Sequence, residues 1–177
     1  MKLIATLGTS PGGVLETFEY LRKKGDLVTD IVIITTGNPD VKKAYDYLLS
    51  MFSCCIKLKY QDVYIEEIRL PFEDITSEED LIQLMKITSD KVNAGDYVDI
   101  TGGRKAISMV MGMLAFKNGA KAITTIVPQE KYNEVQQEMK SNRKPIRGEC
   151  TDKDREYFCK LIANNATTIE ISDRLIQ

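Results

Sequence analysis

Histidine is absent from this 177-residue chain, and that absence excludes more chemistry than any residue present. Ser–His nucleophile pairs, histidine-based ribonuclease chemistry and most catalytic zinc sites all require an imidazole. A strong excess of charge of either sign is also missing. The formal net charge is −2, so no global basic field points to long nucleic acid, while a small anion held by a few local cations stays open. No apolar run approaches the roughly 18 residues of a membrane span, and Lys2 passing straight into a strand is not a signal-peptide pattern. The expected setting is the cytoplasm, without a membrane partner. The four cysteines, at 54, 55, 150 and 159, match neither a metal-ligand spacing nor an extracellular framework, and reduced, partly buried thiols are expected. Repeats and low-complexity tracts are lacking. The length suits one domain with a sizeable core and a short appendage.

What is present is a regular alternation. Apolar strands are predicted at Lys2–Leu7, Asp30–Thr36, Val63–Leu70, Tyr97–Ile100 and Ala122–Val127. Between them lie helical patterns. Ser10 reads as an N-cap with Pro11 at the first helical position, and Gly25 as the stop. A second helix opens at Gly37-Asn38-Pro39 and carries Val41, Ala44, Tyr45, Leu48, Leu49 and Phe52 at helical spacing. Ser77 with Asp80 resembles a capping box for a third. The fourth, from about Arg104 to Phe116, is apolar nearly all the way round. Five alternations of strand and helix predict an α/β fold, a parallel Rossmann-like sheet of strand order 3-2-1-4-5 with right-handed crossovers. After Pro128 the pattern loosens. Helices are expected over Glu130–Ser141 and Asp152–Asn164, with a basic loop of Lys140, Arg143, Lys144 and Arg147 between them, and a short helix or strand over Thr168–Ile176. The division is therefore a domain over 1–128 and an extension over 129–177, packed on it and not an independent effector. A DNA-binding helix–turn–helix in that extension lacks an evident recognition helix.

Strand order 3-2-1-4-5 sets strands 1 and 4 side by side where the winding reverses, and such sheets bind ligands outside the strands' carboxyl ends at that point. The loops leaving those two strands are Gly8-Thr9-Ser10-Pro11-Gly12-Gly13 and Thr101-Gly102-Gly103-Arg104-Lys105. Glycines permit close backbone approach, and a helix start with two added cations attracts anions. The plainer alternative is a tight strand–helix turn with solvated cations. The first loop is not G-x-G-x-x-G, and strand 2 ends in Thr35-Thr36 instead of a ribose-reading acid, which argues against a dinucleotide cofactor. Gly13 is followed by Val14 and Leu15, so it is no P-loop. Carboxylates do not cluster at the strand ends apart from Asp99, read as a polar strand-end residue, and no metal or cofactor is expected. The Met-rich fourth helix needs cover on two sides, supplied either by the chain's own tail or by a second copy; a homodimer is the favoured reading.

The two loops, in order and spacing over residues 1–128, resemble the ligand motifs of CARF domains, the CRISPR-associated Rossmann-fold sensors of cyclic oligoadenylate. Many such proteins carry a HEPN ribonuclease or a winged helix. Only about 50 residues follow strand 5 here, and the HEPN motif needs a histidine, so the chain is most similar to stand-alone ring nucleases. That resemblance implies a cyclic tetra-adenylate ligand, cleaved by the ring's own 2′-OH to linear di-adenylates with a 2′,3′-cyclic phosphate, switching antiviral signalling off. It implies catalytic roles for Ser10 and Lys105, and ligand contacts from Gly8, Thr9, Pro11, Gly12, Gly13, Thr101, Gly102, Gly103 and Arg104. Family members often have Thr where Arg104 stands. Some use a tyrosine, for which Tyr132 is the nearest candidate. A sensor that does not cleave and a CARF transcriptional regulator are the alternatives.

Overall fold

The computed structural model describes residues 1–141, 143–146 and 148–175. Arg147 of the basic loop and Ile176 at the end of the last expected element lie outside that set. The chain runs β1 (Lys2–Thr6), α1 (Val14–Lys24), β2 (Asp30–Thr35), α2 (Pro39–Met51), a π-helical turn (Phe52–Ile56), α3 (Lys57–Lys59), β3 (Tyr64–Arg69), α4 (Glu78–Thr88), β4 (Tyr97–Asp99), α5 (Lys105–Asn118), β5 (Lys121–Ile126), α6 (Gln129–Lys140), α7 (Asp152–Cys159), β6 (Thr167–Glu170) and α8 (Ile171–Leu175). The strands form one sheet in the order β3-β2-β1-β4-β5-β6. The first five pair in parallel, as expected. The sixth comes from the tail and pairs antiparallel with β5, Thr125 opposite Thr168.

Alternation along the central strands assigns the two faces. Leu3, Ala5, Ile31 and Ile33 point to a core completed by Phe18 of α1, Leu48 of α2 and Phe158 and Leu161 of the tail. Ile4, Val32, Ile34 and Val98 point the other way, to Leu84 of α4 and Ile107, Met111 and Leu114 of α5. β3 is one of the two edge strands, and its apolar alternation slips at Glu66-Glu67. Its side chains are half-exposed, and Glu67 accepts from Thr35 Oγ1 at 2.6 Å while pairing with Arg69.

Three expectations are corrected. The helix α1 starts at Val14, not after Ser10, because Gly13 occupies the cap at φ +107°. Ser10 Oγ instead accepts the Gly12 N–H at 3.3 Å and closes a tight turn. α7 stops at Cys159, short of the expected Asn164, and the run Ala163-Asn164-Asn165 is irregular. The cysteines are not thiols. Cys54 joins Cys150 and Cys55 joins Cys159, with Cα atoms 5.5 Å apart in each bridge. Adjacent residues on the π-helical turn reach two different parts of the tail, a pairing that sequence spacing does not reveal.

Candidate active site at the carboxyl ends of β1 and β4

β1 and β4 are neighbours in register, Ala5 opposite Asp99, so the loops that follow them emerge together. The glycines in those loops serve first to let the loops touch. A Cβ on Gly102 would lie 2.9 Å from the Thr6 carbonyl oxygen and 3.2 Å from the Gly8 nitrogen; one on Gly8 would lie 3.0 Å from the Gly103 nitrogen. Gly13 meets the Thr101 side chain in the same way, 2.7 Å from Cγ2, at a positive φ that disfavours any other residue. The two motifs thus form one packed backbone platform.

Hydroxyls hold the platform from below. The Gly102 carbonyl accepts from Thr6 Oγ1 at 2.5 Å and from Ser108 Oγ at 2.7 Å. Thr101 donates its N–H (2.8 Å) and its Oγ1–H (2.5 Å) to Asp99 Oδ1, and its Oγ1 accepts the Thr125 N–H at 2.7 Å. Thr17 Oγ1 lies 2.8 Å from the Gly13 carbonyl and 2.6 Å from Thr125 Oγ1, which itself lies 2.8 Å from Thr168 Oγ1 of β6. Asp99 is 1% exposed and its Oδ2 has no partner among the described residues. Burial pushes its carboxyl above the usual carboxylate range, against the opposing bonds from Thr101. It supports the second motif from underneath instead of facing a ligand.

Glu16 plays a parallel part under the first motif. Its Oε2 accepts the Gly13 N–H at 2.8 Å and its Oε1 the Ala163 N–H at 3.0 Å. Burial raises its pKa while those two bonds act the other way. Sequence pattern alone does not single out this residue. Its signal is a Glu three residues after Gly13, the third-position partner of a capping box, hidden because the cap lacks a side chain.

Above the platform is a cavity of about 430 Å³. Gly8, Thr9, Ser10 and Gly12 line it from the first motif, and Thr101, Gly102 and Gly103 from the second. Tyr132 and Lys131 of α6 and Leu161 of the tail complete the wall. Pro11 and Gly13 are buried beside it without lining it. Arg104 and Lys105 stand exposed at the start of α5, outside the cavity wall, and Arg104 Nε is 3.3 Å from Asp74 Oδ2 in the loop after β3. A larger cavity, about 760 Å³, lies behind α1 between the π-helical turn and the tail, and it contains no residue of either motif. Among the described residues no group of three or more Asp, Glu, Cys or His gathers as a metal site.

A family model for CRISPR-associated protein NE0113 matches residues 10–162, from Ser10 of the first motif through the whole of the second to the segment after α7. The chain belongs to that family. The chain is 43% identical over 174 residues to the CRISPR system ring nuclease SSO2081 of Saccharolobus solfataricus, covering 96% of this chain and 98% of that one. Its fold is similar to that of Enterococcus italicus Csm6 bound to cyclic hexa-2'-fluoro-hexa-dAMP, with TM-score 0.54 and 14% identity over 99% of this chain and 42% of the other. At that identity the likeness is one of fold. The expected CRISPR-associated family and the expected Rossmann-like sheet are both borne out for this chain.

Proposed function

We propose that the protein is a ring nuclease that binds cyclic tetra-adenylate and cleaves it without a metal ion. The observation that carries this reading is the abutment of the two glycine motifs in one cavity at the reversal of the sheet, with cations at the rim. The full-length similarity to a CRISPR system ring nuclease supports it. Without histidine, the chain has no imidazole base to activate water. The ring supplies its own nucleophile: a ribose 2′-oxygen attacks the adjacent phosphorus, the bond to the 5′-oxygen breaks, the 2′-OH gives up its proton and the 5′-oxygen gains one. The protein's share is to hold the in-line geometry and to stabilise charge on the phosphoryl oxygens. Ser10, freed from capping, and the loop N–H groups orient the phosphate. Lys105 stabilises developing charge, Arg104 holds a ground-state phosphate once it leaves Asp74, and Tyr132 on the cavity wall is placed to donate toward the leaving 5′-oxygen. The products are linear di-adenylates with 2′,3′-cyclic phosphate ends.

One cavity of about 430 Å³ is the size of a site for a drug-sized ligand, and a ring of four nucleotides exceeds it. A two-fold dimer places two such cavities across one axis. The surface for it is the stripe of α5: Ala106, Met109, Met113 and Phe116 recur at helical spacing, and the last three are 68%, 67% and 78% exposed. Ile82 and Met85 of α4, on the same side of the sheet, are exposed apolar residues as well. In this reading residues 129–177 are an extension of the 1–128 domain that finishes its sheet with β6 and walls the site with Tyr132 and Leu161, and not a separate effector. Action in the cytoplasm is compatible with the two disulfides, since intracellular proteins of hyperthermophiles contain them.

Incubation with cyclic tetra-adenylate in EDTA, with products followed over hours, tests the proposal. Linear di-adenylate is the expected result. A ring bound and left intact identifies a sensor instead, and a ring that is neither bound nor cut overturns the ligand assignment.

A further inference from the structure

Glu16 is buried at 6% exposure, and among the described residues it forms no ion pair. A Glu at the third position of a helix commonly accepts the N–H of the cap residue from a solvated position. Here that bond is present, to Gly13, but the reciprocal half is impossible because glycine has no side-chain oxygen. The second carboxylate oxygen turns inward and takes the N–H of Ala163, 147 residues away in sequence. A buried carboxylate without a cation is costly to the fold, so a simple cap would be better served by a residue left in water. Glu16 also forms part of the wall of both cavities, between the ligand motifs and the tail.

We infer that Glu16 is a positioning residue that locks the first ligand loop to the segment following α7. Gly13 ends the loop that carries Ser10, whose hydroxyl already accepts from the Gly12 N–H. Ala163 lies two residues beyond Leu161, which lines the ligand cavity. One carboxylate therefore ties the end of the first loop to the tail segment that follows the cavity-lining Leu161. The inference deepens the ring-nuclease reading and rests on it for its catalytic consequence, whereas the coupling of the two segments stands apart from any ligand.

The test uses the full chain carrying Glu16→Gln, which keeps the shape but replaces one acceptor oxygen with a donor. A second variant, Ala163→Pro, removes the N–H at the other end and leaves Glu16 untouched. Amide hydrogen exchange on the ligand-free protein is expected to rise both in residues 8–13 and in residues 160–166 in either variant. With cyclic tetra-adenylate, single-turnover cleavage by Glu16→Gln is expected to fall about 10- to 100-fold, the scale of a misplacement of up to 1 Å, while Kd stays within threefold. The double variant should be no slower than the slower single, because both remove one interaction. If Ala163→Pro does not fold, Glu16→Asp, too short to reach both donors, repeats the measurement. Exchange that rises in only one segment, or an unchanged rate in Glu16→Gln, overturns the inference. A parent protein that leaves the ring intact overturns the ring-nuclease reading instead, and the exchange arm then decides the coupling alone.

Discussion

Replacing Gly102 with alanine is the sharpest test of the packed platform. The new Cβ would sit 2.9 Å from the Thr6 carbonyl oxygen, and ordinary van der Waals contact begins at 3.4 Å, so the second motif must move by 3.4 − 2.9 = 0.5 Å. The obstructing atoms are backbone of β1 and of the first motif, which cannot swing aside as a side chain would. Forcing a methyl into such packing costs about 1–3 kcal/mol. At roughly 2–4 °C per kcal/mol for a chain of this size, the melting temperature should drop by about 2–12 °C. Since a displacement near 1 Å costs ~10²-fold in rate, half of that should slow single-turnover ring cleavage by about tenfold. Gly112→Ala is the control. Its Cβ would lie 3.9 Å from Ile100 Cγ2 in the interior of α5, and alanine there should stabilise by about 0.5–1 kcal/mol. Thermal melts and single-turnover assays of both variants provide the comparison. A Gly102→Ala protein that melts and cleaves like the parent would refute the claim that the two motifs are held in direct backbone contact.

Lys105→Ala should lower the cleavage rate at saturating ring by ~10²–10³ with a smaller effect on Kd, because its charge acts on the transition state. Arg104→Ala should chiefly weaken binding, whereas Asp74→Asn should tighten it by releasing Arg104 from its 3.3 Å partner; titration with labelled ring measures both. Met113→Lys on the exposed face of α5 should leave a monomer by light scattering at micromolar concentration, under conditions where the parent should be a dimer. Cys54→Ser with Cys150→Ser opens a bridge spanning 96 residues and should cost about 2–4 kcal/mol in denaturant unfolding.

The parallel sheet was legible because each of β1 to β5 is followed by a helix, which leaves few topologies open. The meeting of the two glycine loops was legible for the same reason: each sits directly after its strand, and sheet winding brings them together. Local signals failed where distant contacts decided the outcome. Ser10-Pro11 carries the chemistry of a helix start, but the loop must cross Gly102 and Gly103 before α1 can begin, and Gly13 takes the cap instead. β6 is Thr-Thr-Ile-Glu, too short and polar to announce itself; its place is set by backbone pairing to β5 and by Glu170, which receives Lys24 at 2.6 Å and Tyr20 at 2.9 Å. The disulfides join positions 96 and 104 residues apart, and no spacing rule reaches that far. Asp99 stood out as a polar strand end, but only its burial and its bonds to Thr101 show it to be the floor of the site.

The central claim is that the ring attacks itself. The most direct measurement is incubation of the protein with cyclic tetra-adenylate and, in parallel, with the same ring lacking every 2′-hydroxyl, each with EDTA and with added divalent metal. The native ring should be cut under both conditions, giving a 2′,3′-cyclic phosphate as its first product. The deoxy ring should still bind, more weakly for the lost ribose contacts, and should remain whole. Cleavage of the deoxy ring, or a first product ending in a plain 3′- or 5′-phosphate, would contradict the account and require a site that activates water.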